Sequence, residues 1–550
     1  MAGQLVTIET GLACNNCCSY CPQPFVRGTG PAGSEPSTEE LVRKLESARR
    51  EGITEAAFSG GEPTIRKDLQ SLIAHARSIG FGRVSITTNG RMLSYPGYAR
   101  KLLDAGLTGV SVSLHGPNAA VHDALTGVPG SFRQTVSGLD NMRLAAGDTL
   151  ERFEIQTVTI IVPENVAFLR DTLVLAGSLG AGLHIVQPFI VSRENLHLAD
   201  RFLMTHDELA AAIRTLMTLP LPHGGRIKPY NLAPCLFQEL SARLEMQDYR
   251  LKTIREFEDT GCLGKNHVSR QFFRIPSCKG CEWRCPGLRM EHLPQDDLAR
   301  MILEDVSGRD GGLEGQDITI SSTDLLGRSG LDLLLKGLRS SGVRRLRLLW
   351  GGFARATIND LMESCIAYGV DEVCLVAIPP AIRLPDRRVI LPGNLDLLAR
   401  QLPVFVDAGR GPSVSLFLVV NMLFDPCWKI DEGSFLGLLG SVFDAGGRSL
   451  FLSSPAKLGP DYPETDDDFL EQVKSALPSL VQRIRAAGIN PVLLRCAKES
   501  AHPTDSRLEE WIATILPVVR WDEEFLQHRY ASSDFGWLMW SYPIWVRDRP

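Results

Sequence analysis

Between Gln4 and about Phe189 the chain repeats one pattern six times: a short β-rich run, a loop, then an amphipathic segment of helical period. The runs are Leu5–Glu9, Glu55–Ser59, Arg83–Thr88, Gly109–Leu114, Phe153–Ile161 and Leu183–Gln187. Strands that alternate with helices pair in parallel, because a right-twisted strand feeding a right-handed helix packs back on its sheet in one hand only. A closed TIM barrel needs more such units, so six imply an α/β domain built as a partial (β/α)6 TIM-like barrel. Ser37-Thr38-Glu39-Glu40 reads as a capping box that opens the first helix. Ligands of parallel sheets gather at the carboxyl ends of the strands, so the loops there are where chemistry is expected.

The chain has 550 residues, enough for roughly three domains at about 100 to 200 residues each. Its 44% hydrophobic and 22% charged residues exclude a disordered or fibrous chain. A net charge of −6 gives no sign of a nucleic-acid partner. The longest strongly apolar stretch, Val414 to Phe424, is broken by Ser415 and Asn421 and falls short of the roughly 20 residues of a bilayer-spanning helix. Met1 to Thr10 has no basic region followed by an apolar one. The expectation is a cytoplasmic protein without a membrane partner. In a reducing compartment its 13 cysteines point to metal or redox roles.

Cys14, Cys17, Cys18 and Cys21 form one cluster, and Cys235, Cys262, Cys278, Cys281 and Cys285 form another. The scattered Cys365, Cys374, Cys427 and Cys496 are expected as buried apolar side chains. Thiolates at spacing x3 then x2 in one tight loop can reach three corners of a [4Fe-4S] cube, leaving one iron without a protein ligand. Cys14, Cys18 and Cys21 have that spacing; a trio using the adjacent Cys17 stays open on spacing alone. A structural zinc site is the competing reading, although it normally draws on two separated pairs.

These residues resemble the signature of the radical S-adenosylmethionine (radical SAM) superfamily, cysteine-x3-cysteine-x2-cysteine with an aromatic residue, here Tyr20, before the last cysteine. Further matches follow in family order. Gly60-Gly61-Glu62-Pro63 resembles the motif that in the family bonds the amino group of SAM, and Thr87-Thr88-Asn89-Gly90 follows the third strand. Ser111-Val112-Ser113-Leu114-His115-Gly116 stands where the family commonly has Ser-Leu-Asp-Gly, so His115 departs from the usual aspartate. His122-Asp123 and Gly130-Ser131-Phe132 match the segment after it. The resemblance implies a catalytic cluster on Cys14, Cys18 and Cys21, with SAM contacts from Tyr20, Gly60, Gly61, Glu62, Pro63, Thr88, Asn89 and Ser113. It also implies reductive cleavage of SAM to a 5′-deoxyadenosyl radical that takes a hydrogen from the substrate, with electrons from a donor such as flavodoxin or ferredoxin. The residues themselves suggest that Gly60 and Gly61 admit a close approach to a ligand and that Glu62 accepts from an ammonium. Asn89-Gly90 also reads simply as a turn.

The expected domains are 1–190, the partial barrel; 191–305, a cysteine-rich extension; and 306–550, a second α/β domain. In the extension, Pro234-Cys235-Leu236 and Cys278-Lys279-Gly280-Cys281-Glu282-Trp283-Arg284-Cys285-Pro286-Gly287 resemble the SPASM or twitch extensions of radical SAM enzymes. That implies an auxiliary [4Fe-4S] cluster on Cys235, Cys278, Cys281 and Cys285, with Cys262 in reserve and structural zinc as the alternative. In the last domain Ile318–Ser321, the helical run Gly330–Ser341, Arg345–Gly352 and Val373–Val376 parallel the first, at an offset of about 290 residues for the glycine pairs. We read it as a degenerate copy, because Phe353-Ala354 follows the glycine pair and no cysteine triad follows Ile318–Ser321. Trp521, Phe525, Tyr530, Phe535, Trp537, Trp540, Tyr542 and Trp545 mark a tail expected to pack back on the protein, with a groove for a partner as the other reading.

The function expected is that of a radical SAM enzyme acting on a peptide. The alternatives are one acting in small-molecule natural-product or cofactor biosynthesis, and a non-catalytic iron-sulfur or zinc protein. No residue is assigned as a substrate acid or base.

Overall fold

The computed structural model describes residues 5–21, 36–147, 153–191, 195, 198–218, 221, 224–245, 272–273, 288–289, 292–307, 313–321, 326–350, 355–376, 382–384, 387–389, 412–419, 449–453, 467–486, 490–496, 511, 518–521 and 544–548. The chain divides into two compact units, Met1–Leu293 and Pro294–Pro550.

In the first unit the strands are β1 (Leu5–Glu9), β2 (Glu55–Ser59), β3 (Arg83–Thr88), β4 (Gly109–Ser113), β5 (Glu154–Ile161), β6 (Leu183–Pro188) and β7 (Arg226–Pro229). They form one parallel sheet in chain order. The six expected strands stand within a residue of their expected ends, and β7 is an addition inside the span read as the extension. Its sequence, Arg-Ile-Lys-Pro, is short and half charged, which suits an edge strand and hides it from pattern reading.

Alternation along the strands splits the sheet into two faces. Val6, Ile8, Ala56, Phe58, Val84, Ile86, Val110 and Val112 point one way and are buried in the core. Helices cover that face. The first, α1 (Thr38–Arg50), opens with the expected capping box: Glu40 N donates to Ser37 Oγ at 3.2 Å and Ser37 N to the Glu40 carboxylate at 2.7 Å. Its acids Glu39 and Glu40 sit in the first turn and Arg49 and Arg50 in the last, matching the helix dipole. Leu41, Leu45 and Ala48, three to four residues apart, bury one stripe on the sheet. The opposite face of the sheet carries half-buried Thr7, Ser59, Ser85, Thr87, Ser111 and Gln156, with the Arg83–Glu154 ion pair across it. A polar face this close to the strand ends is suited to a bound ligand.

The second unit also centres on a sheet. Its strands are β10 (Asp317–Ser321), β11 (Arg345–Trp350), β12 (Glu372–Val376), β15 (Ser413–Val419), β16 (Ser449–Ser453), β17 (Asn490–Cys496) and β18 (Val518–Trp521), counting two short antiparallel pairs elsewhere, β8–β9 (Phe272–Phe273, Leu288–Arg289) and β13–β14 (Ile382–Leu384, Arg387–Val389). All seven pair in parallel and in chain order. A last strand, β19 (Ile544–Asp548), from the aromatic-rich tail, adds antiparallel to β10. Residues 522–543 of that tail lie outside the described residues, as do Gly351 and Gly352. Among the described residues no helix is long and apolar enough to cross a membrane.

The two faces predict opposite tolerance. Phe58→Ala should lower stability by about 3 to 5 kcal/mol, whereas Ser85→Ala on the polar face should stay within about 0.5 kcal/mol, both read from urea unfolding midpoints.

Candidate active site at the carboxyl end of the first sheet

The loop from Thr10 to Cys21 leaves β1 and lies across the end of β2. Thr10 N and Thr10 Oγ1 both donate to Ser59 O at 2.8 Å, Gly61 N donates to Gly11 O at 2.7 Å, and Glu62 N to Ala13 O at 2.8 Å. A Cβ on Gly60 would sit 2.6 Å from Gly11 O, and one on Gly61 2.5 Å from Leu12 O and closer still to Ala13 O. Gly60 also has φ +123°, a conformation side chains rarely permit. The close approach that the glycine pair was expected to offer a ligand is thus taken by the cysteine loop itself.

Residues far along the chain hold the rest of the loop. The Arg91 guanidinium donates to Asn15 O and, at 3.1 Å, to Asn16 Oδ1, and it is braced by Gln134 Oε1 at 2.6 Å. Asn89 Nδ2 donates to Asn15 Oδ1 at 2.6 Å and reaches Cys14 Sγ at 3.9 Å, so Asn89 does more than form a turn. Cys17 N donates to Thr126 O at 2.9 Å, and a Cβ on Gly127 would meet Cys17 O at 2.5 Å. Asn195 Nδ2 donates to Tyr20 O at 3.2 Å and Cys21 O at 3.4 Å. Arg91, Gln134, Thr126, Gly127 and Asn195 carried no local signal, because their partners are dozens of residues away.

Cys14, Cys18 and Cys21 are half-buried and share one electrostatic neighbourhood. Burial, with repulsion among the three, pushes the Cys14 thiol up to about 11 and Cys18 up to about 12. Only a strong positive charge would keep such thiols ionised near neutrality, and bound iron supplies one. Asn16 N already donates to Cys14 Sγ at 3.4 Å, the role a ligating thiolate accepts. Among the described residues no three His, Cys, Asp or Glu side chains converge on a single-ion position. Three soft sulfurs spread along one loop fit a multi-iron cluster better than one zinc ion.

Glu62 is buried beneath this loop. Its Oε1 accepts from Thr64 N at 3.0 Å, Thr64 Oγ1 and Thr88 Oγ1 at 2.6 Å, and its Oε2 accepts from Asn89 N at 2.7 Å. Burial raises its pKa while these four donors oppose the rise. The carboxylate therefore ties the ends of β2 and β3 together. Pro63 opens the short 3-10 turn Pro63–Ile65 that carries Thr64. Ser113 is half-buried on the polar face, in register with Val158 of β5.

His115, in place of the usual aspartate, is buried beside Tyr20, and burial with His122 nearby holds it well below the ordinary histidine range. The matched segments that follow brace one another: the Asp123 carboxylate accepts from Gly130 N at 2.7 Å, Ser131 Oγ at 2.8 Å and Phe132 N at 2.7 Å.

Of the second cysteine cluster, Cys235 is exposed in the 3-10 helix Pro234–Leu240. Cys262, Cys278, Cys281 and Cys285 lie outside the described residues, between the paired strands β8 and β9 in the case of the last three.

Gly61→Ala tests the docking of the loop. The added Cβ should cost about 1 to 3 kcal/mol by overpacking and lower iron uptake on anaerobic reconstitution; full iron content with unchanged stability would show that the loop does not need this contact.

Residues 8–219 match the family described as the Radical SAM superfamily. The AdoMet-dependent heme synthase of Oleidesulfovibrio alaskensis is 31% identical over 180 residues, 33% of this chain and 44% of that protein. The PqqA peptide cyclase of Rhodopseudomonas palustris is 38% identical over 125 residues, 23% of this chain and 32% of that protein. Streptococcus suis SuiB bound to S-adenosylmethionine overlaps 44% of this chain and 53% of its own, at 13% identity and a TM-score of 0.35. The chain spans half or less of the length of these curated relatives. The chain is thus similar to the radical SAM superfamily over residues 8–219.

Proposed function

We propose that this chain is a radical SAM enzyme. Cys14, Cys18 and Cys21 hold a [4Fe-4S] cluster whose fourth iron is open to SAM, and the bound cluster supplies the electron that breaks the carbon-sulfur bond of SAM. The observation that carries this reading is the half-buried three-thiol loop, docked by Gly61 and Glu62 at the carboxyl end of a parallel sheet, inside the segment that matches the family.

The remaining roles fall to residues around that loop. Glu62 Oε2 accepts a single bond from the chain and keeps capacity for the amino group of SAM. Thr88 and Asn89 hold that carboxylate in place. Tyr20, Gly60, Gly61 and Pro63 line the same strand end, and Ser113 offers a hydroxyl to the ribose or carboxylate of SAM from the polar face of the sheet. Cys235, Cys278, Cys281 and Cys285 hold an auxiliary [4Fe-4S] cluster, and a flavodoxin or ferredoxin delivers electrons.

The substrate we favour is a peptide, supported by the similarity to a peptide cyclase. A small-molecule or cofactor-precursor substrate is the second reading, favoured by the longer match to a heme synthase.

Anaerobic reconstitution with SAM and dithionite should yield 5′-deoxyadenosine, and the Cys14, Cys18 and Cys21 triple alanine variant should yield none. No product from iron-loaded protein, with the same iron content in the triple variant, would overturn the reading. Eight irons per chain are expected if both sites hold [4Fe-4S] clusters; about four would remove the auxiliary one.

A further inference from the structure

Arg91 follows Asn89-Gly90 at the end of β3, and the turn there aims it at the cysteine loop. Gly90 has φ +79°, a left-handed conformation that glycine adopts freely. A Cβ on Gly90 would sit 2.8 Å from Val112 Cγ1, and one on Gly138 of the helix Ser131–Ala146 would collide with Gly90 O, so the turn is wedged between β4 and that helix. From this fixed base the guanidinium donates to Asn15 O, to Asn16 Oδ1 at 3.1 Å and to Gln134 Oε1 at 2.6 Å, while Arg91 N donates to Asn89 Oδ1 at 3.0 Å. Every one of these acceptors is neutral. Arg91 is half-buried, and among the described residues no carboxylate pairs with it. Taking a guanidinium partly out of water is costly unless an opposite charge offsets it. The residues it grips, Asn15 and Asn16, lie between Cys14 and Cys18.

We propose that Arg91 is the counter-cation of the cluster carried by Cys14, Cys18 and Cys21, and that its charge raises the reduction potential of that cluster. The proposal rests on the cluster assignment made above. Three thiolates bring negative charge to the loop, and the electron taken up on reduction adds more. A fixed cation beside the loop therefore stabilises the reduced state more than the oxidised one. Arginine suits the place because its planar fork lets one nitrogen hold the loop while another rests on Gln134. Arg91 is a positioning residue: it holds the loop through Asn15 and Asn16, and its charge acts on the iron through space.

The test uses the full chain, reconstituted anaerobically without SAM and poised over a range of potentials, with the reduced cluster quantified by electron paramagnetic resonance. Arg91→Gln, which can keep a bond to the loop but carries no charge, should retain its iron and show a lower midpoint potential. Arg91→Lys, which keeps the charge and loses the fork, should stay close to the unaltered midpoint. An unchanged midpoint in iron-replete Arg91→Gln would overturn the proposal, as would an equal fall in both variants. Loss of iron from Arg91→Gln alone, with Arg91→Lys loaded and unshifted, would support the role of the charge. Loss of iron from both would assign Arg91 to folding of the loop and overturn the proposal. Absence of a cluster from the unaltered chain would instead overturn the cofactor reading itself.

Discussion

The site depends on two backbone bonds, Gly61 N to Gly11 O and Glu62 N to Ala13 O. They lay the cysteine loop flat on the end of β2, at a separation that only glycine allows. Everything else that grips the loop presupposes this docking. The Arg91 guanidinium can reach Asn15 and Asn16, and Asn195 can reach Tyr20 and Cys21, only once the loop lies there. The result is a thiol-bearing loop held on several sides by groups from four different parts of the chain, the kind of supporting shell that keeps metal ligands within narrow limits.

Glu62 adds a second constraint. A buried carboxylate is costly unless its lone pairs are filled, and here donors from Thr64, Thr88 and Asn89 fill most of them. Those donors join β2 to β3, so a residue suited to binding an ammonium also fixes the spacing of the two strand ends that frame the site. A ligand placed against Glu62 would meet a carboxylate already oriented, with little reorganisation left to make.

The second unit keeps the strand order of the first: seven parallel strands in chain order, with β19 added on the outer side of β10. That is the order a copy of the first sheet would keep. No cysteine triad follows Ile318–Ser321 and Phe353-Ala354 follows the glycine pair, so its sequence lacks the thiol spacing and the glutamate that the first unit carries at those places.

Six of the seven strands of the first sheet and the capping box of α1 were legible in the sequence, because period-two alternation and capping pairs are local properties that a few neighbouring residues determine. The seventh strand was not, since four residues with two charges carry too little pattern. The reason for the glycine pair was misread for a different cause: the sequence states that a Cβ is excluded but not what excludes it, and the fold brings the chain's own loop there. Arg91, Asn195 and the bond between Tyr20 and His115 were wholly tertiary, joining residues 75, 174 and 95 positions apart. Sequence by itself determined which groups could ligate and on which strand ends they would stand. Only the tertiary structure decided which distant donors point at them, because hydrogen bonds across a sheet depend on strand order and register, and no short stretch of chain encodes either.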